Sequence, residues 1–158
     1  MRILVCLAVA AMVAAPASAQ VRLSPADQAA AFKAAGFKRV GGQWRGCDDP
    51  GTPSYSPGTI ELVKDLNGDG RPEVVITEGG SFCFGATGMG FALMSKQGDG
   101  NWKRMAGGTG VFTPLATKGV GGWPDIEIGG PGFCFPIQRW NGREYRFHRR
   151  AYQGKPCR

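Results

Sequence analysis
The sequence predicts a mostly β fold with one N-terminal helix. Its body is a duplicated four-stranded antiparallel meander, folded as two blade-like sheets packed together. Three observations predict this. The chain carries 26 glycines and 11 prolines, and they separate short segments rich in β-branched and aromatic residues, the punctuation of an all-β chain. One segment alone has helix start and stop signals. And the β part repeats itself, with Pro72-Glu73-Val74-Val75-Ile76, Gly79-Gly80 and Phe82-Cys83-Phe84 followed by Pro124-Asp125-Ile126-Glu127-Ile128, Gly129-Gly130 and Phe133-Cys134-Phe135.

The chain begins with a leader. Arg2 gives a positive start, Ile3 to Ala15 is almost wholly apolar, and Ala17-Ser18-Ala19 is a small-residue cleavage site. Residues 1–19 therefore read as a signal peptide, with Gln20 the first mature residue and export to the periplasm or beyond expected. The apolar run is shorter than the 18 or so residues a span needs, so no transmembrane segment is expected after cleavage. The 139 residues that follow suffice for one domain with its own core.

Residues 20–58 form a lead-in. Ser24 caps a helix, Pro25 suits its first turn and Asp27 completes a capping box. Ala29, Ala30, Phe32, Ala35 and Phe37 offer its apolar stripe, and Gly36 ends it. The β body spans 59–158. Strands are expected near 59–65, 73–78, 90–97 and 102–107 in copy one (59–107). In copy two (110–151) they are expected near 111–117, 125–129, 134–140 and 144–151. Asp99-Gly100-Asn101 turns one hairpin and Asn141-Gly142 another. Two such copies cannot close a propeller ring, so two packed sheets are the simpler outcome.

Four cysteines remain after the leader: Cys47, Cys83, Cys134 and Cys157. An even number in an exported chain reads as two disulfides. Zinc is disfavoured, because close Cys pairs are lacking and His148 is the single histidine. In a meander, Cys47 and Cys83 fall at one end of copy one, and Cys134 and Cys157 relate to copy two in the same way. That favours Cys47–Cys83 and Cys134–Cys157, with Cys83–Cys134 as the alternative.

The stretch Asp65-Leu66-Asn67-Gly68-Asp69-Gly70-Arg71-Pro72-Glu73 carries the most chemistry. Oxygen-bearing side chains stand at loop positions 1, 3, 5 and 9, and a glycine at position 6 allows a sharp turn. That is how a chain wraps a hard cation such as calcium. Asp65, Asn67, Asp69 and Glu73 are the expected side-chain ligands, with Arg71 as a carbonyl donor and its side chain in solvent. The repeat argues for one calcium. Shifted by 52 residues, Asp65, Asn67 and Asp69 become Thr117, Gly119 and Gly121, while Glu73 becomes Asp125. The loop and the Val74-Val75 that follow it resemble the calcium-binding core of FG-GAP and VCBS repeats. These are propeller-blade modules of integrin α chains and many bacterial secreted proteins. The close match covers about a dozen residues, and Glu73 stands where that family usually has aspartate. The resemblance implies a calcium loop on a blade-like meander.

Net charge is +7, and it concentrates at the C-terminus. Residues 139–158 hold Arg139, Arg143, Arg146, Arg149, Arg150, Lys155 and Arg158 against Glu144 alone. In 144–150 the alternation sets Tyr145, Phe147 and Arg149 on one face and Glu144, Arg146, His148 and Arg150 on the other. The basic face is a solvated edge strand that blocks aggregation, or a patch for an anionic cell-surface polymer or another envelope protein. Nucleic acid is disfavoured, since no recognition motif is present.

Catalysis has little support. His148 lies in the basic strand, and no Gly-x-Ser-x-Gly elbow occurs. Asp48-Asp49 with Glu73 or Asp125 could form a hydrolase's carboxylate pair, although Asp48-Asp49 beside Pro50-Gly51 better suits a turn. The Gly79–Gly90 loop could serve an enzyme inhibitor. Trp44, Trp102, Trp123 and Trp140 could stack on sugar, but core packing explains them more simply. The leading expectation is an exported, calcium-binding, non-catalytic binding or envelope-associated protein.

Overall fold
A computed structural model describes residues 22–157. The expected leader, 1–19, lies outside them. Helix α1 (Pro25–Ala34) starts where its caps predict: Ser24 Oγ accepts the Asp27 N–H at 3.1 Å, and Gly36 follows at φ 90°. The apolar stripe needs one correction. Phe32 and Ala35 are buried, but Ala31 joins them and Ala30 faces solvent. At about 100° per residue, Ala31 and Ala35 stack one turn apart, and Ala30 falls on the far side.

Two short strands missed by the sequence reading, β1 (Lys38–Val40) and β2 (Gln43–Arg45), form a small hairpin after the helix. Then comes the first meander: β3 (Ser56–Lys64), β4 (Glu73–Gly79), β5 (Met89–Lys96) and β6 (Trp102–Thr109), hydrogen-bonded in that order. Between β4 and β5, a short helix α2 (Ser81–Phe84) and one 3₁₀ turn replace an open loop. The second meander is β7 (Val111–Lys118), β8 (Pro124–Gly129), β9 (Phe135–Trp140) and β10 (Tyr145–Tyr152). A two-residue strand β11 (Lys155–Pro156) is added at its edge. Both sheets are antiparallel and pack together, the second curled as a half-barrel. The duplicated meander read from the sequence is thus the fold.

Two apolar layers hold it. Val74, Ile76, Ala92, Met94 and Trp102 face α1 and meet Ala31, Phe32 and Ala35. Trp44 caps that layer, stacked on Phe32 with ring centroids 4.8 Å apart. The alternate residues Val75, Phe91 and Leu93 face the second sheet and meet Trp123, Ile126, Trp140 and Tyr145. β4 and β5 are covered on both sides, which is why their sequences run apolar without alternation. All four tryptophans pack into or against these layers.

The sheets join at Gly110. Its N–H donates to the Met89 carbonyl, its φ is 143°, and a side chain there would strike Ile128. Only glycine lets the chain cross from one sheet to the other at that distance.

The disulfides are Cys47–Cys83 and Cys134–Cys157, with Cα atoms 6.4 and 5.6 Å apart. The first ties the lead-in to α2. The second ties the start of β9 to the chain end. They close loops of 36 and 23 residues, so chain-entropy stabilisation is about 4 and about 3 kcal/mol. Replacing Cys47 and Cys83 by serine should therefore lower the unfolding free energy slightly more than replacing Cys134 and Cys157. Urea denaturation of the two double variants tests this, and no loss in either would show that neither bridge limits stability.

Candidate functional site
The acidic loop spans the β3–β4 turn. Its shape comes from side chains bonding to backbone. Asp65 Oδ1 accepts the N–H groups of Gly68 at 2.7 Å and Asp69 at 3.2 Å, and Asp65 Oδ2 accepts that of Gly70 at 2.9 Å. Asn67 Oδ1 accepts the Asp69 N–H, and Asp69 Oδ1 accepts the Arg71 N–H at 2.8 Å. The chain curls around Asp65 and stays curled because Gly68 and Gly70 adopt φ of 84° and 81°.

Glu73 lies beneath this curl, fully buried. Its Oε2 accepts the Leu66 N–H at 2.7 Å, and Ser95 Oγ donates to its Oε1 at 2.8 Å. Burial pushes its carboxyl above the usual range, and the nearby Asp69 and Asp65 charges push the same way against those two hydrogen bonds. Arg71 is exposed, as expected, but its side chain also reaches back along the loop, with Nη2 donating to Asp69 Oδ2 at 2.6 Å and Nε to the Lys96 carbonyl at 3.2 Å. An unbalanced cluster of carboxylates draws in the nearest guanidinium. Among the described residues, no three His, Cys, Asp or Glu side chains gather closely enough to hold a metal.

The donor chemistry still fits a hard cation. The loop supplies only oxygen donors, and an amide bond occupies one lone pair of a carboxylate oxygen and leaves another free. The turn is pre-curled around Asp65. What must change is local: Arg71 has to leave Asp69.

Copy two shows the same corner solved differently. Asp125, equivalent to Glu73, is fully buried and takes Arg139 bidentately at 2.8 Å through both oxygens. Thr117 Oγ1, equivalent to Asp65, donates to Oδ2 at 2.6 Å, and Arg149 stands 3.5 Å away. The Arg139 guanidinium holds the Asp125 carboxyl down to about 2, against burial. So copy two carries a built-in cation. Arg139 was missed because the second copy's turns differ in length, and a constant 52-residue shift does not reach it. The two corners touch: a side chain at Gly122 would stand 2.5 Å from the Asn67 carbonyl.

On β10, Arg146, His148 and Arg150 are exposed. Arg146 pairs with Glu144 at 2.7 Å, and Arg150 donates to the Cys134 carbonyl at 3.2 Å. A bulge between Phe147 and Arg149 breaks the expected alternation. It leaves Phe147 62% exposed and turns Arg149 toward Asp125.

The hydrolase candidates are engaged elsewhere. Asp49 is buried and accepts Gly51 N–H, Thr52 N–H and Thr52 Oγ1 at 2.7 to 2.8 Å, which makes it the anchor of a turn. Asp125 is held by arginine. The Gly79–Gly90 loop is tied down by Cys83 and by Phe84, whose ring lies on Gly90, while the Phe82 ring points out, 64% exposed. No family model, curated protein or solved structure matches the chain.

The two buried carboxylates make opposite predictions. Asp125 is depressed from 3.8 to about 2, so its contribution is present above pH 4 and lost as pH falls through 2. Asp125→Asn should lower the thermal midpoint at pH 7 and flatten its fall between pH 4 and 2. Glu73 is raised, so its ionised form costs stability once pH climbs past the usual carboxylate range. Glu73→Gln should therefore raise the midpoint of calcium-free protein at pH 7. A lower midpoint would mean that the two hydrogen bonds outweigh burial.

Proposed function
We propose that this is an exported, disulfide-stapled, calcium-binding protein without a catalytic role, an envelope-associated binding module. The curl of the 65–73 loop around Asp65 is the observation that carries the calcium part. Three amides converge on one carboxylate, with Asn67 and Asp69 beside it and Glu73 below. The resemblance of the loop to FG-GAP and VCBS repeats agrees with this.

Asp65, Asn67, Asp69 and Glu73 would hold the ion through side-chain oxygens, and Arg71 through its carbonyl. Calcium would neutralise carboxylates that now rely on amides and one guanidinium. Asp65 orients the loop, Glu73 anchors it to the Leu66 amide, and the Arg71 side chain gives up Asp69 on binding. One ion is expected, since Arg139 already serves Asp125. The role is structural. At millimolar calcium and millimolar affinity the ion adds about 0.4 kcal/mol, and at tenfold tighter affinity about 1.4, less than either disulfide.

Export is supported by the leader and by two disulfides. No helix among the described residues is long and apolar enough to cross a membrane. For a partner, Lys118, Arg139, Arg146 and His148 share one depression on the outer side of the second sheet. An anionic surface polymer suits that chemistry.

Calorimetric titration of calcium into EDTA-stripped protein tests the reading. Saturable heat in the wild type that vanishes in Asp69→Ala is the expected outcome. No heat up to about 10 mM, above the range of extracellular calcium modules, would reduce the loop to an acidic turn.

A further inference from the structure
The other end of β4 carries a second buried carboxylate that the calcium reading does not use. Glu78 is 3% exposed. All its hydrogen bonds fall on one oxygen: Oε1 accepts the N–H of Gly46 at 2.9 Å, that of Cys47 at 3.3 Å, and the Tyr55 hydroxyl at 2.7 Å. Oε2 receives none. It lies against Gly46, where a side chain would come within 2.8 Å of it, and Glu78 and Gly46 both line a cavity of about 240 Å³. Oε2 is therefore an anionic oxygen that the cavity leaves open to a donor from a ligand.

The cavity exists because side chains are missing from the sheet. Ala92 still packs against α1, but beyond it the α1-facing position of β5 is Gly90, and the β6 residue opposite Ala92 is Gly107. The Phe84 ring covers Gly90 and the Arg104 guanidinium lies over Gly107. Phe37 edges against Gly46 beside Oε2. Arg104 also lines the cavity, and it forms no ion pair or hydrogen bond with any described residue. The space therefore offers one free anionic oxygen, one free guanidinium and two phenyl rings. Opposite charges in one cavity that do not pair with each other fit a ligand that carries both.

We propose that this cavity binds a small zwitterion of amino-acid size. Its ammonium sits on Glu78 Oε2 beside the Phe37 ring, and its carboxylate on Arg104. The volume equals that of about eight waters, enough for an amino acid and too little for a sugar chain or a peptide. Tyr55 and the Gly46 and Cys47 amides hold Glu78 in place through Oε1, which leaves Oε2 for the ligand. The Cys47–Cys83 bridge fixes the rim from both sides. This site is independent of the calcium loop. Glu73 and Glu78 stand five residues apart on β4, roughly 17 Å at strand spacing.

The test is calorimetric titration of the whole mature protein, in EDTA and again in calcium. Glycine, 4-aminobutyrate and L-lysine are the zwitterions; butylamine and butyrate are the single-charge controls. At least one zwitterion should bind saturably and at least tenfold tighter than either control, equally with and without calcium. Glu78→Gln keeps Oε1 as acceptor and turns Oε2 into an N–H donor. It should retain the thermal midpoint to within a few degrees and weaken that zwitterion at least tenfold. Arg104→Gln, on the exposed edge strand, should weaken it at least fivefold without touching stability. No zwitterion binding below 10 mM would overturn the proposal, as would binding indifferent to Glu78→Gln. Butylamine binding as tightly as the best zwitterion would overturn it in favour of a plain amine site. If Glu78→Gln fails to fold, Arg104→Gln with the matched controls still decides.

Discussion
Strand β4 is covered on both faces, and the placement of every other element follows from that. Val74 and Ile76 need α1 above them, and Val75 needs the second sheet below. With no exposed face, the strand cannot slip register, because a one-residue shift would exchange the two apolar sets between layers of different shape. It is paired along its whole length to β3 and β5. Polar chemistry on this strand is therefore pushed to its ends. Glu73 closes one end and Glu78 the other, both buried, and each is held by backbone amides from the loop that crosses that end. One apolar strand thus makes two carboxylate sites at opposite poles of the same sheet.

The duplication shows what such a buried carboxylate requires. Copy one and copy two keep the same corner, with Pro72-Glu73 and Pro124-Asp125 starting the equivalent strands β4 and β8. In copy two, Arg139 arrives from the neighbouring strand and neutralises Asp125 directly. In copy one the corresponding neighbour is Ser95, opposite Glu73 in the ladder. A hydroxyl satisfies a lone pair but not a charge. Copy one instead surrounds its glutamate with further acids, which raises the demand for a cation rather than meeting it. Arg71 meets part of that demand from the loop's rim. The two copies thus differ in how the buried carboxylate is met: Asp125 by the Arg139 guanidinium, Glu73 by the Leu66 amide and the Ser95 hydroxyl.

Much of this was legible in the residues. The meander, its strand boundaries to within three residues and the α1 cap followed from glycine and proline punctuation, an internal repeat and a capping box, while the cysteine pairing was only favoured over Cys83–Cys134 until the fold brought the pairs together. The punctuation, the repeat and the capping box depend on near neighbours, so a linear reading reaches them. The acidic composition of the Asp65–Glu73 loop was legible for the same reason, since its oxygen-bearing side chains fall within nine residues. The β1–β2 hairpin was not. Its strands have three residues each, too few for a period to show, and they hold their place through Trp44 stacking on Phe32.

What the sequence determined by itself is helix α1, the eight meander strands and the composition of the acidic loop, because each is written in contiguous residues. Only the tertiary structure decided which charges meet. Asp125 finds Arg139 across two strands, and Arg149 turns inward because a bulge at His148 shifts the register. Glu78 collects Gly46, Cys47 and Tyr55 from the lead-in and keeps one oxygen free, facing a cavity that Arg104 shares. Charge pairing depends on distances of a few ångströms between residues far apart in the chain. Those distances are set by packing, and no spacing along the sequence encodes them.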